Sequence, residues 1–600
     1  LPLGHSLATL VVASTEHETP AMQSDVNLLT LAERTGFRET GRTDEVEQLA
    51  AEFARCWPDA VRSFEYGRSA ENRPMRALLV SRSGALTAEQ IKSRGIPLLM
   101  LQGGIHPGES DGKDAGFIAL RELLSNNADE LKRIAILFVP AFNTDGHERF
   151  GKWNRPNQVG PEETGWRTNA QNLNLNRDYM KADAPEMQAM LRLLNEYDPL
   201  VCADLHVTDG ADFEPDISIQ VEPIHQGDAS LFASGLQLRD ELIAKLESRG
   251  SLPLPFYPDL YQTDDPSSGF LLTVYSPRFS TGYFPTRNRF TVLVETHSWK
   301  DYATRVRVTR NTIVGLVELV CLYGREWLAL AHHVDAMGLD ASGKEFALDF
   351  AAGWREPTQG SPDSRSATDD ASVETIDFRG YAYTRTPSAI SGDLVTAYDP
   401  TTPQIWRVPL RKNTAASLTV RAPPRGYIVP AGYAREIGEK LALHGVQFEL
   451  LQSRTEDVTV FRATRVQFSS APFEGRMRAT LQGEWLSESR SIPSGSLLIP
   501  IAQPRARLSM ALLEPQAPDS FAAWGFFNGC FEQKEHMEPY VAEQIANEML
   551  NSDPALAIEF QRKLKSDSDF ANSAAARLEF FLRRHASWDE RWNLYPIYRW

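Results

Sequence analysis

The sequence predicts an α/β fold over residues 41–335, built on a mixed, mostly parallel sheet with helices on both faces, followed by a smaller α+β region. Three observations lead there. Short apolar runs bounded by turn residues alternate with stretches of helical hydrophobic spacing through the first 335 residues. That alternation ends near a polar, turn-rich segment, Glu356–Ser372 (EPTQGSPDSRSATDDAS), beyond which the texture changes. A chain of 600 residues also exceeds what one ordinary core accommodates, so two or three domains are expected.

The elements follow in order. Asp44–Ala54 places Val46, Leu49, Ala50 and Phe53 on one helical stripe. Ala77–Val80 and Pro97–Leu101 read as buried strands, and Lys113–Leu124 as a helix. Arg133–Pro140 (RIAILFVP) has strong β character, and Pro185–Tyr197 is a helix with proline at its start. Leu200–Leu205 and Phe290–Val294 are further strands, and Arg310–Tyr323 is a closing amphipathic helix. Residues 336–372 read as a linker or exposed loop. In 373–600, runs such as IWRVPL, SLTVRA and RGYIVP are strand-like. Tyr433–Leu443 is helical and ends at His444-Gly445, and Glu535–Arg584 is mostly helical.

Composition narrows the function. With 62 Lys and Arg against 79 Asp and Glu, the formal charge is −17, which disfavours nucleic acid and anionic membrane as partners. No internal apolar run is long enough for an integral membrane segment. Four widely spaced cysteines exclude a CxxC zinc finger and a disulfide-dense scaffold. Residues 1–40 are a separate N-terminal segment. Within it Leu1–Ser14 (LPLGHSLATLVVAS) resembles the end of a secretory signal peptide, which would place the protein in the periplasm or outside the cell. A frayed end or a buried strand, with a cytoplasmic setting, is the alternative.

Four segments carry candidate chemistry. In LLMLQGGIHPGESDG a strand runs into a glycine-rich turn that presents His106 and Glu109, ligand types that zinc accepts, though an exposed pair in a surface turn reads the same way. In PLVCADLHVTDG, His206 stands where a strand gives way to a loop, the place where ligands collect in open α/β sheets. Asp204, two residues earlier on the same strand face, is either its partner or an ordinary charged residue. In RFTVLVETHSWK, Glu295 ends an apolar strand, and a carboxylate buried there needs a partner or a task. His297 shares its face and reads as structural rather than as a ligand. In GWRTNAQNLNLNRDY, Arg167 and Arg177 lie near Asn174 and Asn176, and paired guanidinium donors suit a carboxylate; a salt bridge of Arg177 to Asp178 or Asp183 is the plain alternative.

The order of these segments (HPGE, FNTDGHE, WRT, NLNLNRD, DLH, VET), preceded by a GRS turn, resembles the zinc metallocarboxypeptidase family, with its carboxypeptidase A-like fold, over about residues 41–335. The resemblance implies one Zn2+ per chain held by His106, Glu109 and His206. It implies Glu295 as the general base acting on a zinc-bound water, and Arg167 as the group that polarises the scissile carbonyl. Asn176 and Arg177 would clamp the terminal carboxylate of a peptide. The substrate-capping tyrosine maps to Tyr275 or Tyr283. A zinc-dependent amidohydrolase or deacylase acting on N-acyl amino acids or cell-wall peptides is the alternative on the same site, and a non-catalytic binding module is a third reading that the complete residue set disfavours.

Departures from the family pattern bear on substrate choice. Gly108 replaces an arginine before the glutamate ligand, which removes a cation, and Asn174 replaces an aspartate two residues before the Asn-Arg pair. Arg278, Arg287 and Arg289 are candidates to replace that cation, or are simply solvated. Residues 373–600 resemble an extension found in some large bacterial family members, capping the active-site rim or mediating dimerisation. The oligomeric state is left open.

Overall fold

The computed structural model describes residues 28–352 and 373–600. The signal-like Leu1–Ser14 and the Glu356–Ser372 segment lie outside the described residues. An eight-stranded mixed sheet organises the first half of the chain. Its strands are β1 (Val61–Arg68), β2 (Pro74–Val80), β3 (Leu98–Gly103), β4 (Ala135–Val139), β5 (Val201–Val207), β6 (Ile217–Glu222) and β7 (Pro253–Leu254), with β9 (Phe290–Thr296). A short β8 (Phe270–Leu271) belongs to another sheet. The spatial order is β1-β2-β4-β3-β5-β9-β6-β7. The central strands β4, β3, β5 and β9 run parallel, and the β1-β2, β2-β4 and β6-β9 pairs are antiparallel.

The apolar runs alternate across this sheet, as the period of two requires. Leu98, Met100, Leu137 and Val139 face one core, while Leu99, Leu101, Ile136 and Phe138 face the other. The second core is covered by helices Thr43–Cys56, Asp111–Ser125, Phe232–Ser248 and Tyr302–Met337. The last of these is far longer than the expected Arg310–Tyr323. Gly324, where the periodic reading stops, is a point of close approach: a Cβ there would lie 2.8 Å from Pro97 Cβ.

The first core holds helix Pro185–Tyr197 and continues without a break into the C-terminal half. Tyr427, Phe461, Trp524 and Tyr595 belong to the same buried cluster as Met100 and Met187. Residues 345–352, expected within a linker, instead form a strand paired with Thr414–Arg421. Further on, Glu374–Pro387 and Leu394–Arg411 form a long hairpin that pairs with β8. A six-stranded sheet contains the hairpin Arg454–Phe468 and Ala479–Ile492. Ala431–Leu443 is a helix closed by Gly445 at φ +69°, and four helices occupy the stretch from Pro539 to Leu582. No described helix is long and apolar enough to cross a membrane.

Candidate metal centre and adjoining cavity

The C-terminal ends of β3, β5 and β9 meet at one point. After β3 the chain turns through Gly104, whose φ of +66° and 3.3 Å approach to Ala141 Cα exclude a side chain. A tight turn, closed by Glu109 N–H donating to His106 O at 2.9 Å, then brings His106 and Glu109 together. Strand register sets His206 on β5 beside Glu295 on β9, and Asp204 beside Gln102 on β3.

His106, Glu109 and His206 form a group of possible metal donors whose ligand atoms all lie within 4.8 Å of one another, with all three residues buried. Glu109 Oε1 is 3.0 Å from His106 Nδ1, and Oε2 is 2.8 Å from His206 Nδ1. Each imidazole is held from behind through its other nitrogen. His106 Nε2 lies 3.1 Å from Asn174 Oδ1, and His206 Nε2 lies 3.1 Å from Asp204 Oδ2. Such outer contacts fix the tautomer so that both Nδ1 atoms face inward, which suits a metal. Asn174 therefore supplies a neutral acceptor, and the charged partner is Asp204. The latter is itself fixed by Ser280 Oγ at 2.6 Å and Gln102 Nε2 at 2.8 Å.

These residues line a cavity of about 300 Å3 together with Arg167, Asn176, Arg177, Tyr275 and Glu295. Its two sides have opposite needs. On the histidine side, burial, opposed by His206 but reinforced by Glu109, pushes the Glu295 carboxyl up to about 8. His206, lowered by burial, is carried well above its usual value by Asp204 and Glu109. Both shifts mark a corner short of positive charge, which a divalent cation on the His106–Glu109–His206 donors would supply. Glu295 Oε2 is buried there without a hydrogen-bond partner among the described residues. On the arginine side, burial and the neighbouring Arg167 and Arg278 pull Arg177 down to about 10, so this corner is short of negative charge. Asn176 Oδ1 is likewise buried without a partner among the described residues.

The remaining candidates fall as follows. Arg167 is held over the cavity by a loop docked on helix Thr144–Glu148: Trp166 N–H donates to Gly146 O at 2.8 Å, and Asn143 Nδ2 reaches Arg167 O at 3.5 Å. The FNTDGHE segment is in turn tied to the GRS turn, with Ser69 Oγ donating to Asp145 Oδ1 at 2.6 Å. Tyr275 lines the cavity, but Tyr283 does not, and that expectation is corrected. Tyr283 is fully buried, with its hydroxyl 2.9 Å from His444 Nδ1, because helix Ser280–Thr286 turns it into the core. His297 stacks on Phe213 at 4.0 Å and is structural.

Neither Arg287 nor Arg289 replaces the cation missing at position 108, nor are they solvated: both are buried around Asp198, and Arg289 also pairs with Asp335 at 2.8 Å. Arg278 turns toward Asp519, 3.5 Å away. A cation that sequence reasoning missed does lie beside Glu109, though it does not line the cavity. Arg155 lies 2.9 Å from Glu109 Oε1 and donates to the Val207 and Thr208 carbonyls at 3.1 and 3.2 Å. A Cβ on Gly108 would meet Arg155 Cγ at 2.5 Å, so the glycine is the only available signal for it. Asp209, Tyr257 and Leu293 also line the cavity without having been anticipated.

The sequence model of the zinc carboxypeptidase family matches residues 46–211. Carboxypeptidase 2 of Trichophyton tonsurans is 25% identical over 444 residues, covering 71% of this chain and 73% of that protein. Carboxypeptidase 2 of Trichophyton rubrum is 24% identical over 476 residues, covering 76% and 79%. Among solved structures, carboxypeptidase A of Helicoverpa armigera aligns with a TM-score of 0.33 and 17% identity over 48% of this chain and 73% of that one. A metallo-carboxypeptidase from Burkholderia cenocepacia aligns with a TM-score of 0.32 and 15% identity, covering 46% and 69%.

Proposed function

We propose that this chain, which matches the zinc carboxypeptidase family model over residues 46–211, is a metallocarboxypeptidase that hydrolyses the C-terminal peptide bond of peptides, with zinc held by His106, Glu109 and His206. One observation carries the reading: a cavity that lacks positive charge beside two histidines and a glutamate also lacks negative charge beside Arg177. A metal cation answers the first need, and the free carboxylate of a peptide terminus answers the second.

Bound zinc would acidify water and polarise a carbonyl. The protein's own groups divide the remaining work. Glu295 would accept a proton from water and later return it to the leaving amine. Arg167, on the cavity wall, would offer its guanidinium to the negative charge that grows on the carbonyl oxygen. Arg177, with its guanidinium 4.2 Å over the Phe279 ring, and Asn176 beside it would receive the terminal carboxylate and limit attack to the last bond. Tyr275, on the cavity wall, would contact the bound terminal residue.

The test is a set of small peptides assayed beside their C-terminal amides and beside N-acyl amino acids. Release of a terminal amino acid that disappears on amidation is expected, whereas turnover of N-acyl amino acids alone would replace this reading with a deacylase. Metal analysis should find one zinc per chain, and His106→Ala should lose it. Zinc bound undiminished by that variant would overturn the ligand assignment.

A further inference from the structure

The part of the chain after residue 373 approaches the cavity, without lining it, through two carboxylates, each of which accepts a main-chain N–H from one of two segments beside Arg177. Glu474 Oε2 accepts from Asn174 N at 2.8 Å, across 300 positions of sequence. Asp519 Oδ2 accepts from Arg278 N at 3.0 Å, across 241 positions. The first wall is the turn Asn174–Arg177, whose Asn174 also braces His106 and accepts from Asn176 N at 3.0 Å. The second wall is Arg278–Phe279, whose ring lies against the Arg177 guanidinium. Arg177 is therefore sandwiched between two segments that the C-terminal region holds at fixed points.

Glu474 is placed with care for a residue on a loop. It sits at the tip between the two long strands Arg454–Phe468 and Ala479–Ile492, at φ +49°, a conformation unfavourable for a glutamate and one that the surroundings must sustain. The tip is closed on itself by Phe473 and Arg476 pairing across it. It is anchored on both sides: Arg476 binds Asp183 at 2.6 and 2.8 Å and lies 3.7 Å over the Phe526 ring, and Phe473 stacks on Trp524 at 6.0 Å. A backbone N–H bonded to an ionised carboxylate is stronger than a neutral bond.

We propose that the C-terminal region completes the substrate-carboxylate clamp, with Glu474 as a positioning residue that acts on Asn176 and Arg177 through the Asn174 turn. The inference rests on the carboxypeptidase reading above and gives the second half of the chain a role in it. Arg177 also feels Glu474 electrostatically, with the carboxylate partly offsetting the repulsion from Arg167 and Arg278.

The experiment compares Glu474→Ala and Glu474→Gln with the parent enzyme on a peptide substrate, with inhibition by the released amino acid as a second readout. Glu474→Ala is expected to raise KM, and the inhibition constant of the released amino acid, about five- to tenfold. It should leave kcat within about twofold and the zinc content unchanged, because this half-buried tip residue touches no reacting atom. Glu474→Gln retains an acceptor oxygen for Asn174 N–H and should recover most of the loss. Unfolding temperatures of both variants separate a folding defect from a clamp defect, and the glutamine variant keeps the test valid if the alanine variant is unstable. Unchanged KM and inhibition constants in folded Glu474→Ala, or equal losses in both variants, overturn the inference. A parent enzyme that releases no terminal amino acid fails the function reading instead.

Discussion

Glu295 presents a charge imbalance that a ligand resolves. Its carboxyl is buried at the end of β9, one oxygen has no partner among the described residues, and burial drives it up to about 8. A divalent cation on the neighbouring donors would pull that value down and leave a carboxylate able to take a proton near neutral pH. The amide of glutamine has the same shape and cannot take it. Glu295→Gln should therefore bind one zinc per chain while kcat falls about 10²–10⁴-fold, and its unfolding temperature should not drop, because a neutral amide of the same shape suits a site where burial disfavours the charged carboxylate. Metal analysis beside steady-state kinetics checks this, and full activity in the variant removes Glu295 from the role of base.

Among the elements, the long loop between Arg149 and Asp178 does work that the strands cannot. It delivers Arg167 to the cavity and Arg155 to Glu109. Arg155 spans Glu109 and the end of β5, so it holds the glutamate against the buried charge that burial alone would resist. Arg155→Met leaves the more distant Arg167, 3.6 Å from Glu109 Oε1, as its only guanidinium neighbour among the described residues. Zinc affinity is expected to fall about 10–100-fold, as it does when an outer partner of a metal ligand is lost; chelator competition measures it, and unchanged affinity refutes the role. The same loop explains what the sequence could tell. His106, Glu109, His206 and Glu295 stood out because each lies at, or in the turn just after, a strand whose apolar run announces itself; register sets His206 beside Glu295, and the turn after β3 brings His106 and Glu109 to them. Arg155 was not, because an irregular loop carries no periodicity and its only trace is the missing side chain at position 108. Tyr275 and Tyr283 could not be told apart because only seven residues of turn and short helix separate them, and the helix rotation that buries Tyr283 has no pattern of its own.

At the scale of the whole molecule, the two halves share one core, and the polar seam across that core contains groups whose ionisation should govern acid stability. His444, at the end of helix Ala431–Leu443, accepts the Tyr283 hydroxyl proton at Nδ1 and donates from Nε2 to Met180 O at 3.0 Å, so both ring nitrogens are used by the neutral form. Burial pulls its value down to about 3, the Met180 carbonyl pulls the other way, and Arg287 and Lys440 add to the lowering. Nearby, Asp183 is raised by burial but brought down to about 2 by Arg476, Lys181 and Lys440. The two signs agree. A histidine kept neutral in the fold takes up its proton more readily when unfolded, so its contribution is complete above its ordinary 6.5 and declines as pH falls toward about 3. A carboxylate with a lowered value contributes fully above its ordinary 3.8 and loses that contribution as pH falls through about 2. Stability should therefore decline in two stages, the histidine first, with a loss on the order of 3 kcal/mol by about pH 4. Glutamine at position 444 can offer the same acceptor and donor without titrating, so His444→Gln should shrink the first stage, leaving the part due to buried His147, which is likewise pulled down to about 3 by burial, and spare the second. Urea unfolding followed by tryptophan fluorescence across that range, in parent and variant side by side, cancels the contribution of metal release common to both. Parallel stability curves for the two proteins would show that the seam does not sense pH through this histidine.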